Sequence, residues 1–339
     1  MAGIIIGGII LSLALLVGLI WVLGSRAKAR LAARYPAPGR MVDMGGYRLH
    51  LNIQGAPVAG SPTVVMEAAH SEPCLSWAGV QPVVAKFARV CTYDRAGLGW
   101  SESSPKPRTA PSIVEELHTL LAQAGVEPPY VLVGHSIGGL YVRLYAHEHP
   151  EQVAGMVLVD AAHEEQYARM PEGIVKMQEL SSKMAPLVFG LLQALNSIGL
   201  MALLAERKGI WPMPIPPEGR AAYMSVVFSG TRHLETAARE TTSIQESFTA
   251  VRAQQIGSLG DIPLTVISAG RPAISAGRGI SAADAEQMKR LQDEMHAELA
   301  ALSTQGKRVI AQESGHYVQV DQPQVVIDAI REVVNAARS

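Results

Sequence analysis

The chemistry of this chain is concentrated first at Gly134-His135-Ser136-Ile137-Gly138-Gly139. The segment follows an apolar run, Tyr130–Val133, and precedes a helical pattern, Gly138–His147. A serine between glycines at a strand-to-helix turn sits on a bend so sharp that neighbouring side chains would clash, which glycine avoids. The bend presents the Ser136 hydroxyl at the carboxyl end of the strand, over the start of the next helix. There the backbone N–H of Ile137 points to where an oxyanion would form. His135 is expected to orient the turn and not to act as a base, since adjacent residues on the bend point apart. A serine hydroxyl is a weak nucleophile at neutral pH and needs an imidazole to take its proton. His316 lies in a glycine-containing loop after the strand pattern Arg308–Gln312 and before the helical pattern Pro323–Val334, a context that none of the other histidines shares, His70 and the His135 of the glycine turn set apart.

The elements that must position these groups alternate. Strand patterns occur at Tyr47–Ile53, Thr63–Glu67, Arg89–Tyr93, Tyr130–Val133, Gly155–Val159, Ile262–Ser268 and Arg308–Gln312, with helical spacing at Ile113–Ala124 and Gly138–His147. Strands separated by helices imply an α/β class, with a mostly parallel sheet and helices on both faces. Residues 40–160 and 260–339 carry this pattern. Between them, 161–259 holds apolar residues at helical spacing, broken at Pro171, Pro186 and Pro212–Pro217, and reads as an inserted helical lid. Within it Met184–Ala205 is free of charge, and two core-facing lid helices are expected; Pro186, Gly190, Gln193, Asn196, Ser197 and Gly199 argue against a membrane span.

The chain has 339 residues, 48% of them hydrophobic and 17% charged, which excludes a disordered protein. A net charge of −1 removes the electrostatic case for nucleic acid. Two cysteines, Cys74 and Cys91, support neither a disulfide framework nor a cysteine-rich zinc site. There is no HExxH, CxxC, P-loop or GxGxxG after a first strand, so no metal and no cofactor are expected. Residues 2–24 contain no charge and are long enough to cross a bilayer, with Trp21 suited to the interface. Arg26, Lys28, Arg30 and Arg34 follow this run. They predict a single-pass N-terminal anchor with the catalytic domain in the cytoplasm and residues 25–39 as linker. The triplet Ala27-Lys28-Ala29 leaves cleavage as a signal peptide open.

Four stretches together resemble the lid-bearing serine hydrolases of the α/β-hydrolase fold family: Glu67–Trp77 (EAAHSEPCLSW), Tyr93–Ser101 (YDRAGLGWS), Gly134–Gly139, and Ser314–Pro323 (SGHYVQVDQP). The resemblance spans about residues 40–335. It implies His316 as general base and the backbone amides of His70 and Ile137 as oxyanion donors. This chain has Ala68-Ala69 where many members have His-Gly, which leaves the geometry of that loop open. Asp94 and Arg95 are expected to anchor a tight turn. The family's acid usually follows the strand after the lid, but Ala269–Ser275 contains no carboxylate. Asp160, ending the strand Gly155–Val159, is favoured as the acid; Asp284, which looks like a helix-capping residue, is the alternative.

The expected activity is hydrolysis of a hydrophobic carboxylic ester, with Ser136, His316 and Asp160 catalytic. Lactone, amide or carbon–carbon bond cleavage by the same residues stays open, as does a non-catalytic binder of small molecules. Ser136 argues against chemistry that needs an aspartate nucleophile at the elbow. The lid methionines (Met170, Met177, Met184, Met201, Met213, Met224) point to an apolar acyl or alcohol group.

Overall fold

A computed structural model describes residues 1–208, 214–272 and 280–338. Its strands are β1 (Arg40–Asp43), β2 (Arg48–Gln54), β3 (Thr63–Glu67), β4 (Val90–Tyr93), β5 (Tyr130–His135), β6 (Val153–Val159), β7 (Leu264–Ala269) and β8 (Gly306–Ala311). Its helices are α1 (Ala2–Arg34), α2 (Gln81–Val84), α3 (Ala110–Gln123), α4 (Ile137–Glu148), α5 (Gln166–Arg169), α6 (Glu172–Ser197), α7 (Leu200–Lys208), α8 (Arg220–Phe228), α9 (Arg232–Thr242), α10 (Ile244–Ala253), α11 (Ala282–Ala300), α12 (Val318–Asp321) and α13 (Pro323–Ala336).

The strands form one sheet in the order β1-β2-β4-β3-β5-β6-β7-β8. Pairing is parallel from β4 through β8 and antiparallel at β1–β2 and β2–β4. The central strands are valine-rich and, apart from the half-buried Ala154, buried throughout because helices cover both faces. Alternation along β5 sends Leu132 into a core with Leu117 and Leu144 of α3 and α4. Val131 and Val133 go to the opposite core, with Ile330 and Val333 of α13.

Register fixes the site. His135 pairs with Val159, and Val159 pairs with Ile267, so Ser136 and Asp160 leave the sheet from neighbouring strand ends. Sequence order reverses direction between β3 and β5, the place where open α/β sheets hold their ligands. The elbow needs glycine because of a close approach: a Cβ on Gly138 would stand 2.7 Å from the Ala68 carbonyl oxygen and 2.8 Å from that of Glu67. The start of α4 thus lies directly against the loop after β3.

Three readings of the sequence are corrected. Strand β1 escaped it, because only four residues long and with Val42 alone buried, it carries no periodic signal. The linker is not 25–39: α1 continues to Arg34, since Ala, Lys, Arg and Leu in that stretch are strong helix formers. The extension also buries Ala27 and Leu31 against Ala202 of α7. Only 35–39 connects α1 to β1. The charge-free stretch from Met184 does not form two core-facing helices: α6 runs through Pro186, whose ring faces outward, and leaves Leu180, Met184, Leu187, Val188 and Leu191 exposed. The contact between α1 and the lid is backbone to backbone, for a Cβ on Gly24 would lie 2.5 Å from the Gly199 Cα.

Candidate active site

Ser136 has φ 55° and ψ −122°, a conformation disfavoured for a residue with a Cβ. Its backbone is held on both sides: its N–H donates to the Val159 carbonyl (3.1 Å), and its own carbonyl accepts from Gly139 (3.0 Å) and Ala162 (2.9 Å). Four non-glycine residues with positive φ occur among the described residues, and three of them, Ser71, Ser136 and Asp160, belong to this site. Periodicity carries no sign of such strain. Only the glycines around Ser136 announced one of the three.

Asp160, with φ 41°, is buried at the end of β6. His316 places Nδ1 2.6 Å from its Oδ2. The Ala269 backbone N–H donates to Oδ1 at 2.8 Å, and the Gln292 amide donates to both oxygens at 3.1 and 3.0 Å. Burial alone would raise the carboxyl pKa; the His316 contact and the other donors outweigh it and hold Asp160 below the usual carboxylate range. Burial likewise pulls His316 down, but the Asp160 carboxylate at Nδ1 lifts it above its ordinary value. With Nδ1–H facing a carboxylate, Nε2 is left as the acceptor. Ser136 and His316 line one cavity of about 360 Å³, together with His70, Ile137 and Asp160.

His135 secures the histidine loop. Its Nδ1 accepts from the Gln319 amide (3.0 Å), which leaves Nε2–H to donate to the His316 carbonyl (2.9 Å). Asp284 lies elsewhere: its N–H donates to the Ser281 hydroxyl at 3.0 Å, and that hydroxyl donates back to its Oδ2 at 2.8 Å, a capping arrangement at the start of α11.

The loop after β3 is held by a buried cation. Arg95 donates to the carbonyls of Ala68 (2.9 Å) and Ala69 (2.7 Å), to Glu67 (2.5 Å) and to Glu240 of the lid helix α9 (2.8 Å). Glu240 also accepts the Ser71 N–H at 2.8 Å, and His70 Nε2 meets the Thr241 hydroxyl at 3.0 Å. The YDRAGLGWS stretch flags Arg95 only as a turn residue; its role across the lid depends on Glu240, 145 positions away, which no local pattern reveals. Asp94 does hold its turn, accepting from Cys74 N–H (2.7 Å), Trp100 N–H (3.1 Å) and His50 Nδ1 (2.8 Å). His50, Cys74 and Asp94 bring three ligand-type atoms within 4.8 Å of one another. Both Asp94 oxygens and His50 Nδ1 are already committed to these bonds.

Gln292, Met288 and Met295 of α11 line the cavity beside Met170, Tyr167, Ile244 and Phe248. The lid methionines divide otherwise than expected: Met170 faces the cavity, Met224 and Met201 pack in a separate lid cluster, Met184 is exposed, and Met213 lies outside the described residues. So does the end of the Ala269–Ser275 stretch.

Comparison with known proteins agrees with the fold. A family model described as alpha/beta hydrolase fold matches residues 68–182. An AB hydrolase superfamily protein of Gibberella zeae is 25% identical over 319 residues, covering 86% of this chain and 92% of that protein. The chain spans only 20% and 15% of two longer curated relatives, from Hormonema carpetanum (37% identical over 136 residues) and Schizosaccharomyces pombe (44% over 82). Among solved structures, Cfl2 of Burkholderia cenocepacia superimposes with TM-score 0.64 at 20% identity, over 87% of this chain and 95% of that one. The epoxide hydrolase CorEH does so with TM-score 0.60 at 17% identity, over 87% and 97%. The chain has the α/β-hydrolase fold, and its residues 68–182 match the model of that family.

The Arg95 cluster makes a prediction about acid. Burial pushes Glu67 up, while Arg95 and the Ser71 N–H overcome burial at Glu240 and hold it at about 2, below its ordinary 4.5. A depressed carboxylate contributes stability that is whole above pH 4.5 and disappears as pH falls toward 2, here on the order of 3 kcal/mol. Urea denaturation of Glu240→Gln should show a large loss relative to wild type near neutrality and a smaller gap at about pH 3. An equal gap at both would remove the charge from the explanation.

Proposed function

We propose that this chain is a serine hydrolase acting on hydrophobic carboxylic esters. Ser136 attacks the carbonyl, His316 Nε2 takes its proton and returns it to the leaving alcohol, and water then releases the acyl group by the reverse route. Asp160 fixes the tautomer of His316 and stabilises the imidazolium. The amides of His70 and Ile137 bind the oxyanion. The observation that carries the reading is the 2.6 Å contact between His316 Nδ1 and Asp160 in a cavity that Ser136 also lines. The CorEH likeness supports the fold; chemistry through an aspartate at the elbow is not available to a chain with Ser136 there.

A fluorophosphonate probe should label the wild-type protein and leave Ser136→Ala unlabelled. Asp160→Asn should fold and lose about 10⁴ in kcat, while Asp284→Asn should stay close to wild type. Activity requires neutral His316, so kcat/KM falls as pH drops through its raised pKa, and this limb should move to lower pH in Asp160→Asn. Labelling that persists in Ser136→Ala, or a larger loss in Asp284→Asn than in Asp160→Asn, overturns the assignment.

The substrate class rests on the cavity wall, where Met170, Phe248, Ile244, Met288 and Met295 offer apolar contact. In a series of p-nitrophenyl esters, kcat/KM should rise with acyl length and be lowest for charged acyl groups. Activity confined to the charged members contradicts the reading.

Helix α1 is long and apolar enough to cross a membrane. We read it as a single-pass anchor with the domain on the cytoplasmic side, because Arg26, Lys28, Arg30 and Arg34 all follow the apolar run. In a bacterial host, protease added outside intact spheroplasts should spare the domain and digest it after lysis; digestion of intact spheroplasts reverses the orientation.

A further inference from the structure

Outside α1 and the Met1 that precedes it, eight large apolar side chains are strongly exposed among the described residues, and five of them lie on α6. They are Leu180 (61% exposed), Met184 (44%), Leu187 (67%), Val188 (49%) and Leu191 (60%). Steps of four, three, one and three residues put all five on a single arc of about 100°. The opposite side of the helix is occupied: Ile174 and Ala185 are buried, and Gln178 reaches the catalytic cavity. A sixth exposed residue, Leu204, is on α7, the helix that packs against α1.

Charge on α6 is graded along its length. Glu172, Lys176, Glu179 and Lys183 all precede Met184, and no charge follows as far as Ser197. The charge-free end is the end nearest α1. Two residues past Ser197, Gly199 meets Gly24 backbone to backbone, at the point where the apolar part of α1 gives way to Arg26, Lys28 and Arg30. From Ser197 back to Leu191 is only about 9 Å of helix axis. The exposed stripe therefore begins beside the boundary at which α1 would enter a bilayer, and it runs on from an apolar surface of the same kind. Exposing it to water would leave a contiguous apolar patch of the kind that marks an interaction surface.

We infer that this face of α6 docks on a lipid bilayer, lying in the interfacial layer with the Leu180–Leu191 stripe among the acyl chains and Lys183 at the headgroups. It is a second membrane contact besides α1, made by the lid itself. Because α6 also contributes Gln178 to the cavity, docking holds the cavity close to the membrane surface, where an apolar ester would be dissolved. The surface does not depend on the catalytic assignment.

The full-length chain in vesicles of mixed zwitterionic and anionic phospholipid provides the test. A nitroxide is attached at Leu187→Cys or Leu191→Cys, with Ser182→Cys, on another side of α6, as reference; Cys74 and Cys91 are buried. Collision with molecular oxygen should exceed collision with a water-soluble nickel chelate at 187 and 191, and the ratio should invert at 182. Equal preference for the nickel chelate at all three sites overturns the proposal. So does protection of 187 from both reagents together with spin–spin broadening that disappears on dilution with unlabelled protein, which would mean that a second copy covers the face. The readout does not use activity, so it stands or falls apart from the hydrolase reading.

Discussion

One buried guanidinium sets the frame in which the site exists. Arg95 is almost wholly removed from water and faces two carboxylates, from the end of β3 and from the lid, as well as two consecutive carbonyls of the loop between them. Removing a charge from water costs several kcal/mol, which only dense and well-directed pairing offsets. That requirement is what makes the arrangement specific. The loop after β3 cannot relax away from Arg95 without orphaning a buried cation, and α9 cannot lift without orphaning Glu240. The amide of Ser71 is tied to the same carboxylate, so the loop, the lid and the ends of β3 and β4 form one electrostatic unit.

The strain at Ser136 and Asp160 is held from outside in a similar way. Each residue has an unfavourable φ, and each is surrounded by backbone bonds to the neighbouring strand: Ser136 to β6 and Asp160 to β7. The sheet register supplies those bonds, and the parallel order of β5, β6 and β7 supplies the register. Gln292 then closes the far side of Asp160 from α11, and His135 and Gln319 brace the loop that carries His316. The 2.6 Å contact is thus the product of three elements far apart in sequence.

Much of this was legible in the residues. The elbow is a local motif whose glycines have a steric cause, and the strands that flank it are valine runs that only a covered sheet accommodates. His316 stood out because its loop separates a strand from a helix. Asp160 was favoured on its strand end, and Asp284 was recognised as a capping residue. What escaped has a common cause. Gln292 sits in a polar helix where a glutamine is unremarkable, Glu240 in an amphipathic one, and both take their meaning from a partner more than a hundred positions away. The continuation of α1 to Arg34 was hidden because charged residues look like a linker when they follow an apolar span. The exposed face of α6 was hidden because a charge-free stretch is read by default as core.

The close contact of Gly24 with Gly199 has a mechanical side. The helix α1 projects 22 residues, Ala2 to Leu23, beyond that contact, about 33 Å at 1.5 Å per residue. It is a long arm fastened at one end to the turn between α6 and α7, with no side chain between the two backbones to cushion the joint. A rotation of α7 by about 10° would carry the free end of the arm through about 6 Å on this geometry. Whatever restrains the arm therefore restrains the lid with a leverage set by its length, and a small rearrangement over the cavity is magnified at the far end of the first helix.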